Sequence, residues 1–162
     1  MKTKLHKFII LVVLSMITSR SYAQEQDILK EKELIKEVIQ SAYVDGLCNN
    51  ADEEAVNKGF HPGFYLLGIG QVNTIVQLPI YNWIEYAKKG KRSGLKYSFQ
   101  NELTTIKFQF IDVSGTAAVA KIDFFEGDKL KFNDYLSLLK FKDGWKIVCK
   151  TYYAIPEESK KE

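Results

Sequence analysis

Asp134 has a strong claim on chemistry in this chain, because it stands where a carboxylate is costly. It interrupts the apolar row Leu130, Phe132, Leu136 and Leu138. Residues two apart share one face of a strand, so Asp134 points where its apolar neighbours point. An ionised carboxylate there must be paired, wetted by a pocket or shifted in pKa. Wetted and shifted, it could be a general base. Paired, it is a structural acceptor for a tyrosine, a backbone amide or a residue of the first helix. His61, within Phe60-His61-Pro62-Gly63, titrates near neutrality and could act as acid or base. The same setting suits a turn residue whose ring tethers the loop.

Aromatic side chains are the second group of candidates. Tyr43, Tyr65, Trp83, Tyr97, Phe124, Phe132 and Tyr153 could line a pocket and stack on a planar ligand. Core packing is the competing use of each. Cys48 and Cys149 lack metal-ligand spacing. In an oxidising compartment they could form a disulfide; otherwise they pack as buried, unpaired thiols. No metal site, nucleophile triad or nucleotide loop is visible. The basic run Lys88 to Lys91 lacks the strand-glycine-loop-helix order of a phosphate site and reads as a solvated corner. No cofactor is expected.

These residues sit in a chain of 162 residues, the size of one domain. The net charge of +3 is small. The lysines are scattered, with no basic stripe interleaved with aromatics, which argues against nucleic acid.

The apolar periodicity from Glu25 to Leu47 predicts a helix, with Ile28, Leu34, Ile35, Val38, Ile39, Ala42, Tyr43 and Leu47 on one side. Gly46 and Asn49-Asn50 stop it. A short helix over Ala51 to Asn57, capped by Asp52, precedes a turn cluster at Gly59 to Gly63. Phe64 to Ile69 and Val72 to Leu78 predict a hairpin, and Tyr81 to Lys89 a third helix. From Leu95 onward the pattern is β. Leu95, Tyr97, Phe99 and Leu103 alternate, then the phase moves to Ile106, Phe108 and Phe110, which predicts a bulge near Thr104-Thr105. Ala118, Ala120, Ile122 and Phe124 form the next apolar face. Asp143-Gly144 predicts a tight hairpin between the Asp134 row and a face of Trp145, Ile147, Cys149, Thr151 and Tyr153. The expected architecture is α+β. A strongly curved antiparallel sheet wraps the N-terminal helices as a cone with an open end for a pocket.

The first 23 residues read as a signal peptide. Lys2, Lys4 and Lys7 precede an apolar run from Phe8 to Ile17, and Ser21-Tyr22-Ala23 supplies small residues before a cleavage point. The run is roughly half the ~20 residues that a membrane span needs. A mature chain from Gln24, exported to the periplasm or beyond, is therefore expected. One domain over 24–156 and a charged tail over 157–162 follow.

The motifs resemble a known group. Phe60-His61-Pro62, Trp83 in a short helix, Asp112-Val113 through Ala117 to Lys121, Asp134 to Lys140, and Trp145 to Val148 with Lys150 follow the pattern of the nuclear transport factor 2-like superfamily. The chain is most similar to its lumazine-binding-like subgroup. The resemblance spans about Glu31 to Tyr153. It implies a cystatin-like cone with a cavity. It also implies a choice of roles, since the superfamily includes ketosteroid isomerases, scytalone dehydratase, polyketide cyclases and many binding or association domains. A histidine–aspartate pair is what dehydratase-like members use, so His61 and Asp134 are the pair implied here.

Two functions follow. The favoured one is an exported, non-catalytic domain that binds a small apolar or planar ligand or associates with a partner. The other is a cofactor-free dehydratase, isomerase or cyclase using Asp134 and His61. A homodimer through the outer sheet face is expected, because Tyr135, Leu139 and Phe141 lie opposite Asp134.

Overall fold

The computed structural model describes residues 25–93 and 102–156. The expected leader, the Leu95 to Phe99 stretch with Tyr97, and the tail after Pro156 lie outside the described residues. Helix α1 covers residues 25–38 and runs directly into a π-helical segment, Ile39–Asn50. Ile35, Ile39, Tyr43 and Leu47 recur at four-residue spacing along the two and are all buried. That stripe faces the sheet. The π segment ends where Ala51 takes a left-handed conformation, and Asp52 then caps α2, Glu53–Gly59, by accepting from Glu54 N and Ala55 N.

Strand β1 is Phe60–Ile69 and β2 is Ile75–Pro79. The loop between them is longer than the sequence suggests, with a short 3-10 turn at Gln71–Asn73. Helix α3 is Ile80–Ser93. A meander follows: β3 Thr104–Ser114, β4 Ala117–Glu126, β5 Lys129–Phe141 and β6 Gly144–Ala154. Gly144 takes φ +114, which a glycine adopts without strain, and the β5–β6 hairpin closes there.

The sheet corrects the sequence expectation in two ways. Its order is β2-β1-β6-β5-β4-β3, so β2 and β3 are open edges and the sheet does not close. It is also mixed, because β1 runs parallel to β6. A strongly curved, all-antiparallel cone is not what forms. The physical reason is the connection. The first hairpin joins the meander through its last strand, and a parallel neighbour is reached only by a long crossover, here the chain from β1 through α3 and the meander. Helices cover one face of the open sheet, and the other face keeps Tyr65, Phe110, Tyr135, Leu139, Phe141 and Tyr153 exposed.

Strand phase is set by bulges. Gln109 is an extra residue in β3, Lys131 in β5 and Val148 in β6. No bulge forms at Thr104-Thr105, where β3 pairs with β4 in regular register; the bulge in β3 is at Gln109, inside the expected Ile106, Phe108 and Phe110 face. It turns Phe110 outward and Ile111 into the core.

Two contacts fix the helices. The Glu31 carboxylate on α1 accepts from Lys140 Nζ at 2.6 Å and Trp145 Nε1 at 2.7 Å, tying α1 to the β5–β6 hairpin. Those two donors hold its carboxyl below the usual range. Helix α2 lies so close to the π segment that a Cβ on Gly59 would meet Ala42 Cβ at 2.2 Å. Gly59→Ala is therefore expected to destabilise the fold by about 1–3 kcal/mol through overpacking. Urea unfolding measures this, and a midpoint equal to that of the parent would contradict the packing described.

Candidate functional site

The site grows from the buried carboxylate on the covered face of β5. Asp134 is fully buried. Tyr152 lies directly across from it on β6 and Ile122 on β4. Lys150 is the next residue on the same face of β6, opposite Leu136. The bulge puts it there. Unbroken pairing from Leu138–Ile147 would set Cys149, Thr151 and Tyr153 on the covered face. The extra residue Val148 moves the phase by one, so Lys150 and Tyr152 point in, while Thr151 and Tyr153 are exposed.

Three polar groups then close on one another. Asp134 Oδ2 accepts from Tyr43 OH at 2.8 Å and pairs with Lys150 Nζ at 2.7 Å. Lys150 Nζ also donates to Tyr43 OH. Tyr43 comes from the π-helical segment, a rare helix type that is frequent at functional sites. Asp134 Oδ1 is buried with no hydrogen-bond partner. Burial pushes the Asp134 carboxyl above its ordinary range, against the pull of the Lys150 ammonium and the Tyr43 hydroxyl. Tyr43 is held well above the ordinary tyrosine range by burial and by the negative charge of Asp134. Burial raises the Cys48 thiol as well.

Aromatic rings surround the ammonium. Lys150 Nζ lies 4.7 Å from the ring centre of Tyr43, 5.3 Å from Trp83, 5.5 Å from Phe124, 5.6 Å from Tyr152 and 5.7 Å from Phe132. All are within cation–π range. The rings also support one another, with Phe132 edge-on to Phe124 and to Tyr152. Above them opens a cavity of about 250 Å³ lined by Leu66, Leu78, Trp83, Tyr86, Phe132, Lys150 and Tyr152. Trp83 and Lys150, each 5 % exposed, form its floor. Tyr86 and Tyr152 are exposed at its rim.

Of the residues singled out in the sequence, Asp134, Tyr43, Trp83, Phe124 and Phe132 come together around Lys150. Tyr65 and Tyr153 do not, since both are exposed away from the cavity. His61 does not approach Asp134. Its Nδ1 accepts from Gly63 N at 3.0 Å and its ring stacks on Phe141 at 4.9 Å. Phe141 lies at the far end of β5, about 20 Å along the strand from Asp134. The expected histidine–aspartate pair is thus not assembled, because β1 delivers His61 to the hairpin end of the sheet. Cys48 and Cys149 are free thiols. The disulfide does not form here because the same bulge keeps Cys149 off the face that covers Cys48. Among the described residues no group of three or more His, Cys, Asp or Glu side chains could hold a metal ion, and no helix is long and apolar enough to cross a membrane.

Sequence reasoning missed Lys150, Tyr152, Tyr86, Leu66 and Leu78. One signal pointed toward Lys150: a buried carboxylate that keeps its charge needs a partner, and a lysine is one that can supply it.

A family model described as "Putative lumazine-binding" matches residues 30–153. No curated protein matches the chain. Among solved structures, an NTF2-like protein of unknown function from Shewanella baltica OS155 is 27% identical, with TM-score 0.59 over 80% of this chain and 97% of that one. NTF2-like proteins of unknown function from Methylobacillus flagellatus KT and Silicibacter pomeroyi DSS-3 share the fold. The first has 21% identity and TM-score 0.60 over 78% of this chain and 94% of its own. The second has 16% identity and TM-score 0.56 over 83% and 98%.

Removing one member of the buried pair strands the other. Asp134→Leu and Lys150→Met are each expected to cost about 3–5 kcal/mol, while the double variant recovers much of the loss because it completes an apolar row. Urea unfolding of all four proteins reads the coupling. A double variant that loses the sum of the two single losses would show that the pair is not coupled.

Proposed function

The chain belongs to the family described as "Putative lumazine-binding", with an NTF2-like fold, and on that footing we propose that it is a binding domain, without catalysis, for a small planar ligand held over Lys150. One observation carries this: an ammonium ringed by aromatic side chains forms the floor of an apolar cavity that opens between Tyr86 and Tyr152. Aromatic and aliphatic walls with a single charged group are the usual make-up of small-molecule sites. At about 250 Å³ the cavity is just below the roughly 300–1,000 Å³ of common ligand pockets, which limits the occupant to one or two fused rings. The family's descriptive name points to the same size class, a bicyclic heteroaromatic.

Export completes the proposal, supported by the charged, apolar and small-residue segments of the first 23 residues. Intact mass under native and denaturing conditions tests both parts on protein recovered from the exported fraction. The expected chain begins at Gln24 and carries a retained aromatic molecule in the native spectrum only. An intact Met1 to Ala23 segment would refute export. Protein that neither retains a molecule nor shows quenching of tryptophan fluorescence with any one- or two-ring heteroaromatic would refute the binding reading.

We also propose that two copies pair through the uncovered sheet face. Its support is the exposure of Tyr135, Leu139 and Phe141 on β5 and Phe110 on β3, each 38–47 % exposed, on one side of the sheet. Light scattering at micromolar concentration should give twice the chain mass, and Tyr135→Lys with Leu139→Lys should halve it. A parent protein that scatters as a single chain would refute the pairing.

A further inference from the structure

The identity of the ligand can be taken further, on the proposed reading of the cavity as a binding site. We infer that its ligand is a planar aromatic anion, and that it enters together with one proton, which settles on the unpartnered Oδ1 of Asp134.

The geometry supplies both halves. An ammonium has three N–H groups. Lys150 spends one on Asp134 Oδ2 and one on Tyr43 OH. For the third, no oxygen of a described residue is in reach, and Trp83, Phe132 and Tyr152, which wall the cavity, stand around it. A carboxylate or enolate on the edge of an aromatic ring, stacked among these rings, takes that N–H as a charge-assisted bond.

The anion does not arrive at a free cation. Lys150 already shares its charge with Asp134, and a second anion beside one ammonium in an apolar setting is repelled by the first. A proton removes the conflict. Asp134 Oδ1 has no partner to lose, and a neutral hydroxyl buried without a bond costs less than an ionised oxygen in the same position. Oδ2 continues to accept from Tyr43. The other ionisable groups facing Asp134 do not compete for this proton. Tyr43 and Cys48, from the π segment, are held protonated by burial, and Lys150 is the ion-pair partner of Asp134. Tyr152, from β6, lies directly across from Asp134. From β4, Ile122 lies across from Asp134, and α3 brings Trp83 over Lys150; neither titrates. Burial already raises the Asp134 carboxyl, which lowers the cost of placing the proton there. Affinity for the anion then falls as pH rises through the Asp134 titration.

Naphthalene-2-carboxylate and its neutral amide are matched probes for the full chain, titrated calorimetrically in two buffers of different ionisation enthalpy from about pH 5 to about pH 8. The carboxylate is expected to bind about tenfold more tightly than the amide at the acid end, the gain of a charge-assisted over a neutral bond. Over that range its binding should take up protons, approaching one where free Asp134 is ionised, whereas the amide takes up none. Asp134→Asn should keep the preference for the carboxylate but lose the proton uptake. Because Lys150→Met alone strands Asp134, the Asp134→Leu, Lys150→Met double variant serves to show that the preference disappears without the ammonium. Equal binding of the two probes would overturn the anion inference and leave the cavity reading standing. Preference for the carboxylate without proton uptake would overturn the coupled entry. Failure of both probes to bind would overturn this inference and the cavity reading with it.

Discussion

The ion pair between Asp134 and Lys150 is the constraint on which the rest of this molecule depends. Taking each ion out of water costs several kcal/mol, and only good geometry with further hydrogen bonds repays it. That geometry draws on separate parts of the chain: Tyr43 from the π segment, Asp134 from β5 and Lys150 from β6. Drawing Asp134 away from Lys150 would leave two buried charges unpaired, and moving Tyr43 would remove the hydrogen bond that supports the pair. An apolar triad would fold as well, so stability alone does not account for charges in this position.

Local irregularity is how the fold meets that demand. A regular β6 would present Cys149 to the core and Lys150 to the far face. Val148 reverses this with one residue. A regular α-helix has 3.6 residues per turn, and the π-helical stretch departs from it around Tyr43. Gly59, pressed on Ala42, lets α2 back up the π segment at short range. Glu31 clamps the start of the same helix to Lys140 and Trp145. The irregular features and the clamps thus serve one arrangement.

The open sheet divides the molecule's surface by role. Helices α1 and α3 cover the face with the ion pair, and the cavity forms where α3 leaves a gap over β1, β2, β5 and β6. The opposite face carries exposed aromatic and aliphatic side chains. Relatives share the fold, but a shared fold does not assign a ligand. The ammonium, its rings and the unpartnered oxygen of Asp134 do more to narrow the chemistry than the fold does.

The sequence by itself determined the element order, the three helical regions, the β5–β6 hairpin at Asp143-Gly144 and the inward direction of Asp134. Each follows from local periodicity and turn chemistry, which act within a few residues. Only the tertiary structure decided what Asp134 meets. Lys150 reads as a surface lysine until the Val148 bulge is known, and a bulge moves every later residue to the other face without a sequence mark of its own. The same shift exposed Tyr153 and brought in Tyr152. The parallel pairing of β1 with β6 joins residues far apart in the chain. It fixed His61 beside Phe141 instead of Asp134 and left the sheet open, since partner choice between distant strands depends on the packing of the whole and not on any one stretch.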